Sequence, residues 1–116
     1  MELEVKKAIE IEEGKHQGEI TKITRRLEPY DYVDVYIKME DSDIELKYGC
    51  PTNLSPKSKL GRLVSQFKEL KEGEKIEIEQ TLVGKKVQFM TLNETKESGT
   101  FAKVVDDSVK PLEGSQ

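Results

Sequence analysis

Hydrophobic and polar positions alternate along several short runs of this chain, and a single segment switches to helical spacing. In the run YVDVYIKM (32–39), Val33, Val35, Ile37 and Met39 occupy one face, while Tyr32, Asp34, Tyr36 and Lys38 occupy the other. That period of two predicts a strand with one buried face. Upstream, GEITKITRRL (18–27) places Ile20, Ile23 and Leu27 at spacings that break strict alternation, which predicts a long coiled first strand carrying a bulge. Pro29 and Asp31 in LEPYDY mark the turn between these two strands. After the polar turn EDSD, the run DIELKYG turns Ile44, Leu46 and Tyr48 inward and Glu45 and Lys47 outward, completing a three-stranded meander.

The helical segment is NLSPKSKLGRLVSQFKEL (53–70), with Leu60, Leu63, Val64, Phe67 and Leu70 forming one apolar stripe. Ser55 is the expected N-cap, Pro56 the first helical residue and Gly73 the stop. Its polar remainder, from Lys57 to Lys71, suits a helix lying over one end of a core. Beyond it, EKIEIEQTLVG offers a short Ile76/Ile78 alternation, and Gly84 introduces a strand in KKVQFMTL. The loop NETKESG and a last strand in TFAKVV follow.

Three strands, a helix and two strands is the order of a mainly β, five-stranded Greek-key barrel of the OB type, with one capping helix between the third and fourth strands. A plain α+β sheet with one helix packed on it shares that order. Residues 1–105 are expected to form one OB-like domain, in which 1–15, carrying Ile9 and Ile11, make an extra strand or an arm. Residues 106–116 are polar and are expected to be a flexible tail.

Composition sharpens this picture. Of 116 residues, 34% are hydrophobic and 36% charged, so the apolar side chains suffice for one modest core only if they are gathered on inward faces. A formal net charge of −4 gives no global field to hold a polyanion, and any nucleic-acid contact must use a local basic stripe. Cys50 is the only cysteine and His16 the only histidine, which excludes a disulfide framework and a Cys/His zinc site. No phosphate-binding glycine loop or nucleophile-elbow motif is present, and the acid pairs Asp41/Asp43 and Asp106/Asp107 fall in turn or tail sequence. We therefore expect no catalysis, no metal and no cofactor. The N-terminus lacks a long apolar run, which predicts a soluble cytoplasmic protein.

The succession GEITKI, YIKMEDSD, SPKSKLGRLV, LVGKKVQFMT and GTFAKVV resembles the small OB-fold proteins of phages and mobile elements described as single-stranded DNA-binding or replication-associated proteins. The resemblance runs from about Gly18 to Val105. It rests on a Ser-Pro-x-Ser-Lys-Leu helix start, a Leu-x-Gly-Lys-x-Val strand start and a closing Phe-x-x-Val strand. It implies single-stranded nucleic-acid binding in replication or recombination, with DNA as the ligand and RNA as the variant.

Such binding needs cations along the phosphates and planar groups for the bases. Tyr32 and Tyr36 share the polar face of the second strand, where they could stack bases or simply cover a partly exposed sheet. Lys22, Arg25 and Arg26 on the first strand, Lys38 on the second, Lys47 on the third, and Lys85 and Lys86 leading into the fourth are the candidate basic track. Glu28, Asp31 and Asp34 interrupt it and would repel nearby phosphates. Phe89 and Phe101 could also stack if they face outward. The rival expectation is a protein-interaction module, the same barrel presenting its tyrosines to a replication-protein partner or to a second copy.

Overall fold

The computed structural model of the chain describes residues 1–5, 11–40, 42–97 and 99–112. Among these, the elements run β1 (Gly14–Arg26), β2 (Tyr32–Met39), β3 (Glu45–Pro51), α1 (Lys59–Val64), α2 (Ile78–Leu82), β4 (Lys86–Lys96), β5 (Gly99–Val104) and β6 (Lys110–Pro111). The strands form one antiparallel sheet in the order β3-β2-β1-β4-β5, with β6 added to the start of β4. The mainly β expectation holds. The sheet is open, because among the described residues no ladder joins β3 to β5, although their Cα traces come within 8 Å.

The expected bulge lies between Ile20 and Lys22. Ile20 pairs with Ile37 and Lys22 with Tyr36, so Thr21 is the extra residue on β1. It places both Ile20 and Ile23 on the core side in spite of their odd spacing. Leu27, beyond the end of β1, is exposed. On β2 the core side is the expected one: Val33, Val35, Ile37 and Met39 are buried. Tyr48 and Cys50 of β3, Val87 and Phe89 of β4 and Val104 of β5 join them, and Leu60, Leu63 and Val64 close the core from α1.

Two expectations about the helical region change. The helix is much shorter than the stripe suggested and begins at Ser58, whose Oγ accepts the Gly61 N–H at 3.0 Å. Ser55 and Pro56 belong instead to a turn closed by the Ser58 N–H on the Ser55 carbonyl at 3.0 Å. Past Val64 the chain tightens into i→i+3 bonds, Gln66 N–H to Leu63 O and Phe67 N–H to Val64 O, while Phe67 and Leu70 still pack against the core. One capping helix is expected, and the structure adds a second where the short Ile76/Ile78 alternation falls. Ile78 opens α2, which buries Leu82 beside β1.

The C-terminal segment from Asp106, read as a tail, packs against the sheet as far as Leu112. Val109 is buried, and Lys110 and Pro111 pair with Gln88 and Val87. The Tyr48 hydroxyl accepts the Asp107 N–H at 3.1 Å, and Lys59 and Arg62 of α1 hold Asp106 and Asp107 at 3.0 and 2.6 Å. These contacts tie the segment after β5 to β3 and α1 where the sheet is open. At the other terminus, Met1–Val5 are exposed and Ile11 packs on the core, while Ile9 lies outside the described residues, as do Asp41 and 113–116. No helix among the described residues is long and apolar enough to cross a membrane.

Candidate functional site

The bulge at Thr21 also decides which side chains share the outer surface. Beyond it, Lys22, Thr24 and Arg26 pair with Tyr36, Asp34 and Tyr32. On the other side of β2, the same three residues pair with Lys47, Gly49 and Pro51. Paired residues in a sheet lie on one face, so these nine positions form a three-by-three patch opposite the core. One row further along, Glu19 stands between Lys38 of β2 and Lys86 of β4.

Both tyrosines on this patch are half-buried, and each carries a cation. Lys22 Nζ lies 4.6 Å from the Tyr36 ring centroid and the Arg26 guanidinium carbon 5.0 Å from that of Tyr32. Between the rings sits Asp34, one of two buried polar or charged side chains among the described residues. Its carboxylate accepts Arg26 Nε–H at 3.1 Å and Nη2–H at 3.3 Å. The bond to Asp34 also raises the Arg26 pKa further above its ordinary value.

The two adjacent arginines, expected to act together, face opposite sides of β1. Arg25 pairs with core-facing Val33 and binds Asp31 through Nε and Nη2 at 2.9 and 2.7 Å. Hydrogen bonds from Arg25 and from the Thr52 hydroxyl hold the Asp31 carboxyl down at about 2. There Arg25 edges a cleft of about 420 Å³ lined by Ile23, Leu54, Ile76 and Ile78, away from the tyrosines. Lys85 also lies apart, half-buried just before β4, its carbonyl accepting the Ile20 N–H at 3.0 Å.

The proposed basic track is therefore only partly assembled. Lys22, Arg26, Tyr32, Tyr36, Lys38 and Lys47 share the outer face, with Lys86 beyond Glu19. Several cations have acidic neighbours: Lys22 is 3.9 Å from Glu45 and Lys38 is 4.0 Å from Asp43. Such exposed pairs are weak, about 0–1 kcal/mol, and a phosphate can displace them. Lys47 and Lys86 make no ion pair among the described residues.

Sequence reasoning missed Asp34 and Gly49. On the sequence alone Asp34 is one more charge on the polar face of the second strand, and nothing short of the strand register reveals that Arg26 meets it across the sheet. Of the two phenylalanines considered for stacking, Phe89 is buried and Phe101 is exposed on the β4–β5 ribbon, which extends past the Gly14 end of β1. Burial pushes the Cys50 thiol up to about 11, which keeps it protonated, and His16 binds the Glu12 carbonyl oxygen through Nε2 at 2.6 Å. No group of three His, Cys, Asp or Glu residues is placed to hold a metal among the described residues. No protein-family model matches the chain, and no curated protein matches it significantly.

Proposed function

We propose that the chain is a non-catalytic OB-type protein that binds single-stranded nucleic acid, DNA foremost, on the outer face of β1, β2 and β3 during replication or recombination of a mobile element. The observation that carries this reading is the pair of cation-bearing tyrosines, Tyr32 and Tyr36, two residues apart on β2. The sheet order supports the OB-type architecture, since joining β3 to β5 would close β3-β2-β1-β4-β5 into a ring. In OB folds the faces of strands 2 and 3 bind oligonucleotides. On this face Lys22, Lys38, Lys47 and Lys86 neutralise phosphates and Tyr36 stacks a base. The local resemblance of the sequence to phage and mobile-element OB proteins points to the same ligand.

The test is fluorescence anisotropy of a labelled single-stranded DNA oligomer titrated with protein at several salt concentrations, beside duplex DNA and RNA of equal length. Salt-sensitive binding to the single strand, weakened when Tyr32 and Tyr36 are both replaced by Ala in a folded protein, supports the reading. An absence of binding at low salt overturns it.

A second reading, a protein-interaction module, draws on a different observation: Met90, Leu92 and Phe101 are exposed on β4 and β5. A rise in mass with protein concentration, lost in Phe101→Asp, would favour that reading.

A further inference from the structure

One ion pair on the outer face differs from the rest. The Asp34 side chain is only 4% exposed, whereas that of its partner Arg26 is 38% exposed. Arg26 gives Asp34 two hydrogen bonds, through Nε and Nη2, which fixes one edge of the guanidinium. The guanidinium carbon lies over the Tyr32 ring. On β3, Gly49 leaves room for the Asp34 carboxylate in this group, since a Cβ there would stand 3.1 Å from Asp34 Oδ1, while reaching only ordinary contact with the Tyr32 ring at 3.4 Å. The result is a planar cation held over an aromatic ring, its charge matched by a buried carboxylate.

We propose that Arg26 is a base-stacking platform rather than a phosphate ligand, with Asp34 as the positioning residue that holds the guanidinium and cancels its charge. This assignment rests on the reading of the face as a single-strand site. A phosphate that drew Arg26 away would leave Asp34 buried and unpaired, and breaking a buried pair in this way is strongly unfavourable. A nucleobase makes no such demand. It needs only the exposed face of a flat, weakly hydrated, delocalised group, and guanidinium planes stack on bases as aromatic rings do. The phosphate work then falls to the lysines, above all Lys22 and Lys47, and Arg26 adds affinity that salt does not screen.

The test uses the full chain and a labelled oligothymidylate, with anisotropy titrations across a salt series for wild type, Arg26→Lys, Arg26→Ala and Asp34→Asn, each first verified as folded by circular dichroism. Arg26→Lys keeps the charge but loses the plane. It should weaken binding about as much as Arg26→Ala, roughly 5- to 100-fold for one lost stacked base, with the slope of log K against log salt unchanged in Arg26→Lys, whose charge Asp34 still cancels, and about 0.7 shallower in Arg26→Ala, which leaves the Asp34 charge uncancelled. Asp34→Asn removes the cancelling charge and should steepen that slope by about 0.7, the increment for one further cation on a single strand.

Wild-type affinity in Arg26→Lys, with binding weakened only in Arg26→Ala, would instead identify a phosphate ligand and overturn the assignment. So would wild-type affinity in both Arg26 variants, or an unchanged slope in Asp34→Asn. In each of these cases the wild type still binds, so the single-strand reading survives. A wild type that does not bind at any salt overturns both.

Discussion

Gly49 faces Asp34 across β3 and β2 so closely that a Cβ on it would stand 3.1 Å from Asp34 Oδ1. Asp34 cannot readily yield, because both its carboxylate oxygens are held by Arg26. Gly49→Ala should therefore destabilise the protein by about 1 kcal/mol, the low end of overpacking costs, despite the better strand propensity of alanine. Urea unfolding monitored by circular dichroism measures this, and an unchanged or raised midpoint would mean that the Arg26–Asp34 pair shifts at little cost.

Gly61 is the sharper case. A Cβ there would overlap the Ser55 carbonyl oxygen and lie 2.7 Å from its carbon, both backbone atoms. Gly61→Ala should cost about 3 kcal/mol or more, at or beyond the upper end of overpacking costs, because the loop before α1 must move as a unit. A melting temperature within a degree of wild type would contradict this.

Ser58→Ala tests the cap at the same helix. The Ser58 hydroxyl accepts from Gly61 N–H and donates to the Ser55 carbonyl at 2.8 Å, so its loss should cost about 1 kcal/mol. Ser55→Ala, at the residue where sequence alone puts the cap, removes only the Ser55 Oγ contact with the Lys57 N–H and should cost less. The two denaturation midpoints, compared directly, decide which serine caps the helix.

The serine pair illustrates what the sequence could and could not disclose. Strands with strict alternation over many residues, above all 32–39, were legible because burial on one face leaves a period of two that few other arrangements reproduce. The bulge was legible too, through the spacing of Ile20 and Ile23. Ile76 and Ile78 offered only two positions, too few to separate a strand from the start of α2. The helical stripe fitted its core contacts, yet Phe67 and Leu70 reach the core from tightened turns rather than from a continued helix.

At the candidate site, the outward tyrosines followed from parity on one strand. The fates of the charges did not. Arg25 and Arg26 are neighbours in sequence and therefore point to opposite faces of β1, and Asp34 finds its charge partner in Arg26 on one neighbouring strand and the space for its carboxylate beside Gly49 on the other. These are relations between strands, fixed by register, and hydropathy along one strand does not contain them.

Alkaline pH should loosen the protein at β3. Burial pushes the Tyr48 phenol up to about 12, with the Asp107 N–H pulling the other way, and the Cys50 thiol up to about 11. Groups whose folded pKa values are raised favour the folded state fully below their unfolded values, ordinarily 10.0 and 9.0, and lose that contribution as pH rises through the folded values. Melting temperature should therefore fall between about pH 9 and 12, with a smaller fall in Tyr48→Phe. That variant also starts lower by about 1 kcal/mol at neutral pH, because the Asp107 N–H loses its acceptor. An identical alkaline fall in wild type and variant would remove Tyr48 as its source.

The split of the two arginines gives the last prediction. Because Arg25 serves Asp31 on the far side of β1 from the tyrosines, Arg25→Ala should leave oligonucleotide affinity within about 2-fold, well inside the loss expected for one stacked base at Arg26. Its effect belongs to acid stability instead. Asp31 has a folded pKa of about 2, below the ordinary 3.8, so its contribution is present above about pH 4 and disappears as pH falls through 2. Arg25→Ala and Asp31→Asn should each flatten the fall in melting temperature across that window, with little change in its slope above pH 5. If Arg25→Ala instead weakens binding as much as Arg26→Ala, both arginines reach the ligand, and the strand must rearrange when nucleic acid binds.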